Sequence, residues 1–301
     1  MSIGLPTVSA RLSADTRRAV LLSAVCTAAL FAAPSRAQQP QPPEGPPRAW
    51  VQAAVNNELK IIAPEGEPSL RFRQRKIDAR GDTTREIVET RDGSVARLIE
   101  RDGQPITAAE DAAERSRLTD LLNNPEEFEK HHHRDNSSRD YAMQIVRQLP
   151  QAMIYSYTPG QPQPPNAEGP QVVIDFHSDP SYHPSGMFSD VLTGLEGRAW
   201  IDAKAQRVTR IEARVLRPVS IGFGIVAKVF PGGTMEFEQI SAGGDRWVYH
   251  HLEEHLTVRE LMVKTVPQNS EVTSSDFRPM PSQLPYQDAI KLLLAMQIPL
   301  R

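Results

Sequence analysis

Arg207-Val208-Thr209-Arg210-Ile211-Glu212-Ala213-Arg214-Val215-Leu216 decides the fold. Thr209, Ile211, Ala213 and Val215 alternate with Val208, Arg210, Glu212, Arg214 and Leu216, so one face is apolar and the other mostly charged. A side-chain period of two belongs to a strand, and this contrast between faces belongs to an antiparallel sheet wet on one side. Residues 203–206 and 242–245 are short polar links, which join neighbouring strands as hairpins. Working outward, strand patterns recur at 153–157, 172–177, 198–202, 234–240, 246–256, 258–266 and 271–277.

The same grammar governs the N-terminal side. Residues 70–79, 84–90 and 94–101 read as a three-stranded meander, broken at Gly81-Asp82 and Asp92-Gly93, dipeptides that suit tight turns. Thr107 followed by Glu110 is a capping box opening a helix to about residue 122, and a second helix is expected over 138–149. Trp50, Val51, Ala54, Val55 and Leu59 give residues 49–59 an amphipathic helical stripe, and Ala289, Ile290, Leu293, Leu294 and Met296 do so for 285–297. The expected fold class is α+β: about eleven strands in a large curved antiparallel sheet forming an incomplete β-barrel, with helices packed on or in it. Its concavity is either a filled core or a ligand cavity. The expected organisation is one half-barrel domain over 48–301, with a helical insertion at about 104–150.

Within 194–277, Gly194-Leu195-Glu196-Gly197-Arg198-Ala199-Trp200-Ile201-Asp202, the run Gln206 to Glu212, Glu236 to Gln239 and Trp247 together carry a resemblance. This stretch resembles the periplasmic lipoprotein-carrier superfamily (LolA/LolB-like) and is similar to uncharacterised exported bacterial proteins of this layout. The resemblance implies an incomplete barrel around a helical lid that holds lipid or acyl chains without covalent chemistry. No carrier functional residue maps onto this chain.

Residues 1–37 read as a cleavable signal peptide, with Arg11, Arg17 and Arg18, an apolar run over 19–33 and a small-residue site at Ser35-Arg36-Ala37. The run is shorter than the about 20 apolar residues a membrane span needs, so no permanent span is expected in the mature chain. Both general and twin-arginine export fit the pair at 17–18. Cleavage would remove Cys26, the only cysteine, and with it any disulfide or thiolate chemistry. It would also take four Arg and one Asp from 34 basic and 37 acidic residues, leaving a net charge near −6. An acidic chain lacks the cationic footprint of a nucleic-acid binder. Residues 38–47, dense in Gln and Pro, read as an extended tether. The expected location is the periplasm or cell envelope.

His251-Leu252-Glu253-Glu254-His255 has the His-x-x-Glu-His spacing of inverted-motif zinc peptidases, with His251, Glu254 and His255 as the candidates. That chemistry needs a helical turn, whereas Trp247, Val248, Tyr249, Thr257 and Val258 favour a strand, in which His251, Glu253 and His255 become a solvated edge. His131, His132 and His133 sit in a charged run, and His177, Asp179 and His183 sit among prolines where turn formation suffices. Gly222-Phe223-Gly224 and Gly232-Gly233 lack the helix and Lys-Ser/Thr of a phosphate cradle. No cofactor, metal or catalytic residue is therefore expected. The candidate ligand-binding residues are Phe223, Ile225, Met235, Phe237, Trp247 and Tyr249, whose large apolar surfaces suit a flexible ligand. The expected function is non-enzymatic binding of a lipid, acyl chain or lipidated polypeptide, with an envelope interaction or sensor module and the zinc hydrolase as alternatives. The expected partners are a lipid or an acylated protein, together with an envelope protein.

Overall fold

The computed structural model describes residues 43–301 except 63–66, 166, 186–188, 222–226 and 261–263, and omits the side chains of 131–136, 138 and 260. Residues 1–42, which take in the expected signal peptide and the first half of the expected tether, lie outside the described residues, as do Phe223, Ile225 and the glycines at 222 and 224. Among those described, no helix is long and apolar enough to cross a membrane.

Helix α1 (Pro47–Ile62) precedes the meander β1 (Leu70–Asp78), β2 (Gly81–Thr90) and β3 (Gly93–Arg101), with a two-residue β4 (Gln104–Pro105) after it. Gly81 and Gly93 hold φ of 118° and 126° at the two turns, a region that side chains with a Cβ avoid. Thr107 caps α2 (Ala108–Asn123) as expected: its hydroxyl accepts from Glu110 N at 3.2 Å, and Glu110 Oε2 accepts from Thr107 N at 2.9 Å. The Thr107 N–H, together with Arg101 donating to Glu110 Oε1 at 2.8 Å, lowers the Glu110 carboxyl pKa to about 2. Helix α3 runs over Pro125–Ala152, starting well before the residue 138 expected from the sequence. Pro125 at the first turn needs no N–H partner, Glu126 and Glu127 suit the positive end of the helix dipole, and no breaker interrupts the charged run that follows.

The second block comprises β5 (Met153–Tyr157), β6 (Gln171–Ser178), a 3₁₀ turn at Ser189–Gly194, β7 (Leu195–Asp202), β8 (Val208–Val215), β9 (Val219–Ile221) and β10 (Ala227–Val229). It ends with β11 (Thr234–Ser241), β12 (Trp247–Glu260), β13 (Lys264–Pro279) and α4 (Tyr286–Ala295). The expected strands over 246–256 and 258–266 divide differently, because Thr257 stays in the ladder opposite Pro267. The fold is α+β, with one open antiparallel sheet of 13 strands among the described residues, ordered β4-β3-β2-β1-β13-β12-β11-β8-β7-β6-β5. β10 joins β12, and β9 joins β10. β1 pairs along β13, Leu70 to Pro279 through Asp78 to Ser270, which welds the N-terminal meander to the last strand.

One alternation fails at a single residue. Opposite Trp200 and Ile201, β8 carries an extra residue at Thr209, so Val208 faces inward with Ile211 rather than outward with Arg210. A bulge reverses the facing of everything beyond it. Thr209 satisfies its hydroxyl on Gln171 Oε1 at 2.8 Å and Trp200 O at 3.2 Å.

The apolar face is covered in two places. Tyr286, Ala289, Ile290 and Leu293 of α4 pack with Val88, Val95, Leu118 and Phe128, the rings of Phe128 and Tyr286 lying parallel 3.8 Å apart. Val51, Ala54 and Val55 of α1 pack against Val172, Ile174 and Ile201, with Val146 and Leu149 of α3 alongside.

Candidate functional site

Between α1, α3 and the concave face of the sheet lies a cavity of about 700 Å³. Its roof is two helical stripes: Val51, Ala54, Val55 and Glu58 on α1, and Arg139, Ala142, Val146 and Leu149 on α3. Spacings of three and four put each set on one helix face. Its floor is set by strand alternation, with Ile201, Ile211, Phe237, Leu252 and Val272 turned inward. The size falls within the about 300–1,000 Å³ typical of small-molecule pockets, and the lining is overwhelmingly apolar.

Of the residues read from the sequence, Met235, Phe237 and Tyr249 line this cavity, and the rings of Phe237 and Tyr249 meet at 5.2 Å. Trp247 lies instead in an adjoining hollow of about 230 Å³ with Phe72 and Phe277, which shares Ile61, Gln74, Tyr249 and Ser274 with the larger cavity. An extra residue in β12 at His250, opposite the step from Glu238 to Gln239, shifts the register between His251 and Tyr249. The roof residues are not among the contacts expected from the sequence. The stripe at 51, 54 and 55 reads there only as a helix face in need of a partner, and 139, 142, 146 and 149 repeat at helical spacing inside a densely charged stretch.

Two polar anchors position α1. Asn57 Nδ2 donates to Gln206 O at 2.9 Å, and Arg207 donates to Asn57 O at 3.3 Å, tying the helix to the turn between β7 and β8. At the next residue, Glu58 accepts from Tyr249 Oη and from Gln239 Nε2, each at 2.6 Å. Burial against the roof pushes the Glu58 pKa above its ordinary value, and the hydrogen bonds and Arg207 only partly offset that. Next to this carboxylate the Tyr249 hydroxyl is raised as well, again chiefly by burial, although 39% of the side chain stays open to the hollow.

A raised carboxyl pKa means the folded state holds the proton to higher pH than the unfolded chain does. The stability Glu58 contributes is therefore fully present below its unfolded value of 4.5 and fades as pH rises through the folded value. In Glu58→Gln the urea midpoint should fall less steeply above pH 4.5 than in the parent. Equal pH slopes for the two proteins would remove Glu58 from the account.

The outer face carries the charges. Arg210 pairs with Glu212 at 2.9 Å, Glu236 at 2.6 Å and Glu238, and Arg198 pairs with Asp175 at 2.6 Å. His255 Nε2 donates to Glu253 Oε1 at 2.7 Å, and His251 Nε2 stands 3.8 Å from Glu253 Oε2. That contact raises the His255 pKa and lowers that of Glu253. These residues are extended and share a face as read, but β12 lies between β11 and β13, so they sit within the sheet and not on an edge. Glu254 turns the opposite way and accepts from Ser270 at 3.1 Å, so the helical geometry of a zinc peptidase is not formed. Among the described residues no group of three or more His, Cys, Asp or Glu is placed to hold a metal. Asp179 makes the turn expected of it, accepting from Ser181 N at 2.8 Å and Ser181 Oγ at 2.7 Å. His131, His132 and His133 fall within α3, with side chains outside the description.

An open antiparallel sheet wrapped around helices, with an apolar hollow between them, is the class of architecture these elements define. Among solved structures, a LolA superfamily protein from Nitrosomonas europaea is similar over 79% of this chain and 96% of its own, at 10% identity and a TM-score of 0.29. Neither protein-family models nor curated proteins gave a match.

Proposed function

We propose that this is an exported cell-envelope protein that holds a lipid, an acyl chain or a lipidated polypeptide in its concavity, without covalent chemistry. The observation that carries this reading is the apolar cavity of about 700 Å³ beneath α1 and α3. A sheet that merely needed a core would be filled to the density of other protein interiors, and a hollow of this size has not been. Burying an acyl chain contributes about 0.8 kcal/mol per methylene, a driving force that needs no directed hydrogen bond. Met235, Phe237 and Tyr249 are the proposed tail contacts, with Trp247 at the adjoining hollow.

Native mass spectrometry of the protein purified from an envelope extract tests this, followed by denaturing extraction. One acyl species per chain is the expected result. Ala142→Trp would fill the α3 side of the hollow with an indole, and its acyl occupancy should drop at least about tenfold while the far-ultraviolet circular dichroism is kept. A lipid-free, metal-free mass would sink the carrier reading in favour of a protein-interaction module, and one tightly held zinc would reopen hydrolysis.

A further inference from the structure

The hollow is apolar along its length but not electrically neutral. Four acidic or basic residues belong to its lining, Glu58, Arg139, His250 and His251, the last with its imidazole turned to Glu253 on the outer face. Three of them are already engaged. Glu58 is held by Tyr249 and Gln239; His250 donates through Nδ1 to Ser274 O at 2.8 Å; and His251 Nδ1 lies 3.3 Å from Thr273 Oγ1, with Glu253 beside its other nitrogen.

Arg139 differs. Among the described residues its guanidinium has no carboxylate and no carbonyl partner, although it is partly buried on the face of α3 that roofs the cavity. It is also the N-terminal member of its stripe. Leu149, at the other end, lies ten helical residues away, or about 15 Å at the rise of an α-helix. Between them only Ala142 and Val146 face the hollow from α3. A wall of this kind has one permanent cation at one end and an apolar strip leading from it.

Resting on the acyl-binding reading, we propose that the ligand is a single-chain amphiphile with an anionic head, carboxylate or phosphate, its tail along the α3 stripe and its head on Arg139. A guanidinium half withdrawn from water forms two parallel charge-assisted hydrogen bonds to either oxyanion, and it carries its charge at every physiological pH. Glu58, the acid of the lining, stands on the other roof helix and is engaged by Tyr249 and Gln239, and among the described residues no ion pair joins it to Arg139.

Isothermal titration of the exported protein, delipidated and at low salt, separates the possibilities with four probes: dodecanoate, dodecyl phosphate, dodecyltrimethylammonium and the neutral fluorophore N-phenyl-1-naphthylamine. Both anions should bind at least about tenfold more tightly than the cation, the worth of one hydrogen bond to a charged group. In Arg139→Gln that preference should shrink to about threefold or less, with the neutral probe unaffected, and Arg139→Lys should restore part of it. The tighter of the two anions identifies a free fatty acid or a phospholipid-derived head as the source. Equal binding of anions and cation, or a preference that survives Arg139→Gln, overturns the head assignment while leaving acyl binding standing. Failure of all four probes overturns acyl binding itself.

Discussion

Arg97→Ala is expected to cost about 3–5 kcal/mol, the toll of breaking a buried ion pair from one side. Arg97 has no exposed surface at all. It reaches from β3 into the joint between α2 and α4, donating to Leu293 O at 2.5 Å, Met296 O at 2.9 Å and Asp111 Oδ1 at 2.6 Å. Two of these acceptors are carbonyls at the C-terminal end of α4, where helical carbonyls lack partners of their own and the dipole favours a cation. Removal therefore leaves Met296 O without its donor, leaves Leu293 O with only the Met296 N–H at 3.4 Å, and opens a void at the same time. Arg97→Met keeps the volume, and Asp111 keeps Arg115 at 3.0 Å, so that variant should recover roughly half the loss. Urea denaturation at pH 7 decides it. A loss below about 1 kcal/mol in the alanine variant would mean that α4 is not clamped in this way.

Arg97 also shows where reading from sequence stops. In β3, Val95 is apolar and buried opposite Val88, and Arg97, two residues on and also buried, shares its face. Alternation alone makes it an error in the pattern, because two of its three acceptors lie almost 200 residues away at the end of α4. What could be read was local: the turns at Gly81 and Gly93, the capping box at Thr107 and Glu110, the charged and apolar faces of β8 from Arg210 onward. The bulges at Thr209 and His250 could not, since each is a mismatch between two strands and neither strand records it alone. The cavity divides in the same way. Met235, Phe237 and Tyr249 follow from strand alternation, whereas Glu58 and Arg139 join them only because α1 and α3 cross the concave face.

Gly197→Val is the second large effect, expected to destabilise by about 3 kcal/mol, the upper end of what overpacking costs. Gly197 lies in β7 opposite Phe176 on one side and Ala213 on the other, and Ala213 in turn faces Met235. The row therefore runs large, absent, small, large across four strands, and Phe176 and Met235, its two ends, both line the hollow. A Cβ on Gly197 would stand 2.1 Å from Glu212 O, 2.7 Å from Phe176 Cζ and 2.9 Å from Ala213 Cα. Two of those atoms are backbone and the third is on a ring, so none can swing aside as a flexible side chain would. The Phe176 ring leans over the bare backbone, an arrangement by which sheets compensate the missing side chain of a glycine. Valine would displace that ring towards the space beneath α3, so acyl occupancy should fall along with the denaturation midpoint. Gly169→Ala is the matched control: the added carbon meets only Asp202 Oδ2 at 3.7 Å, and stability should stay within about 0.5 kcal/mol. If both variants unfold at the parent's midpoint, the strands at Gly197 are spaced more widely than 2.1 Å implies, and the thin wall between Phe176 and Met235 does not shape the hollow.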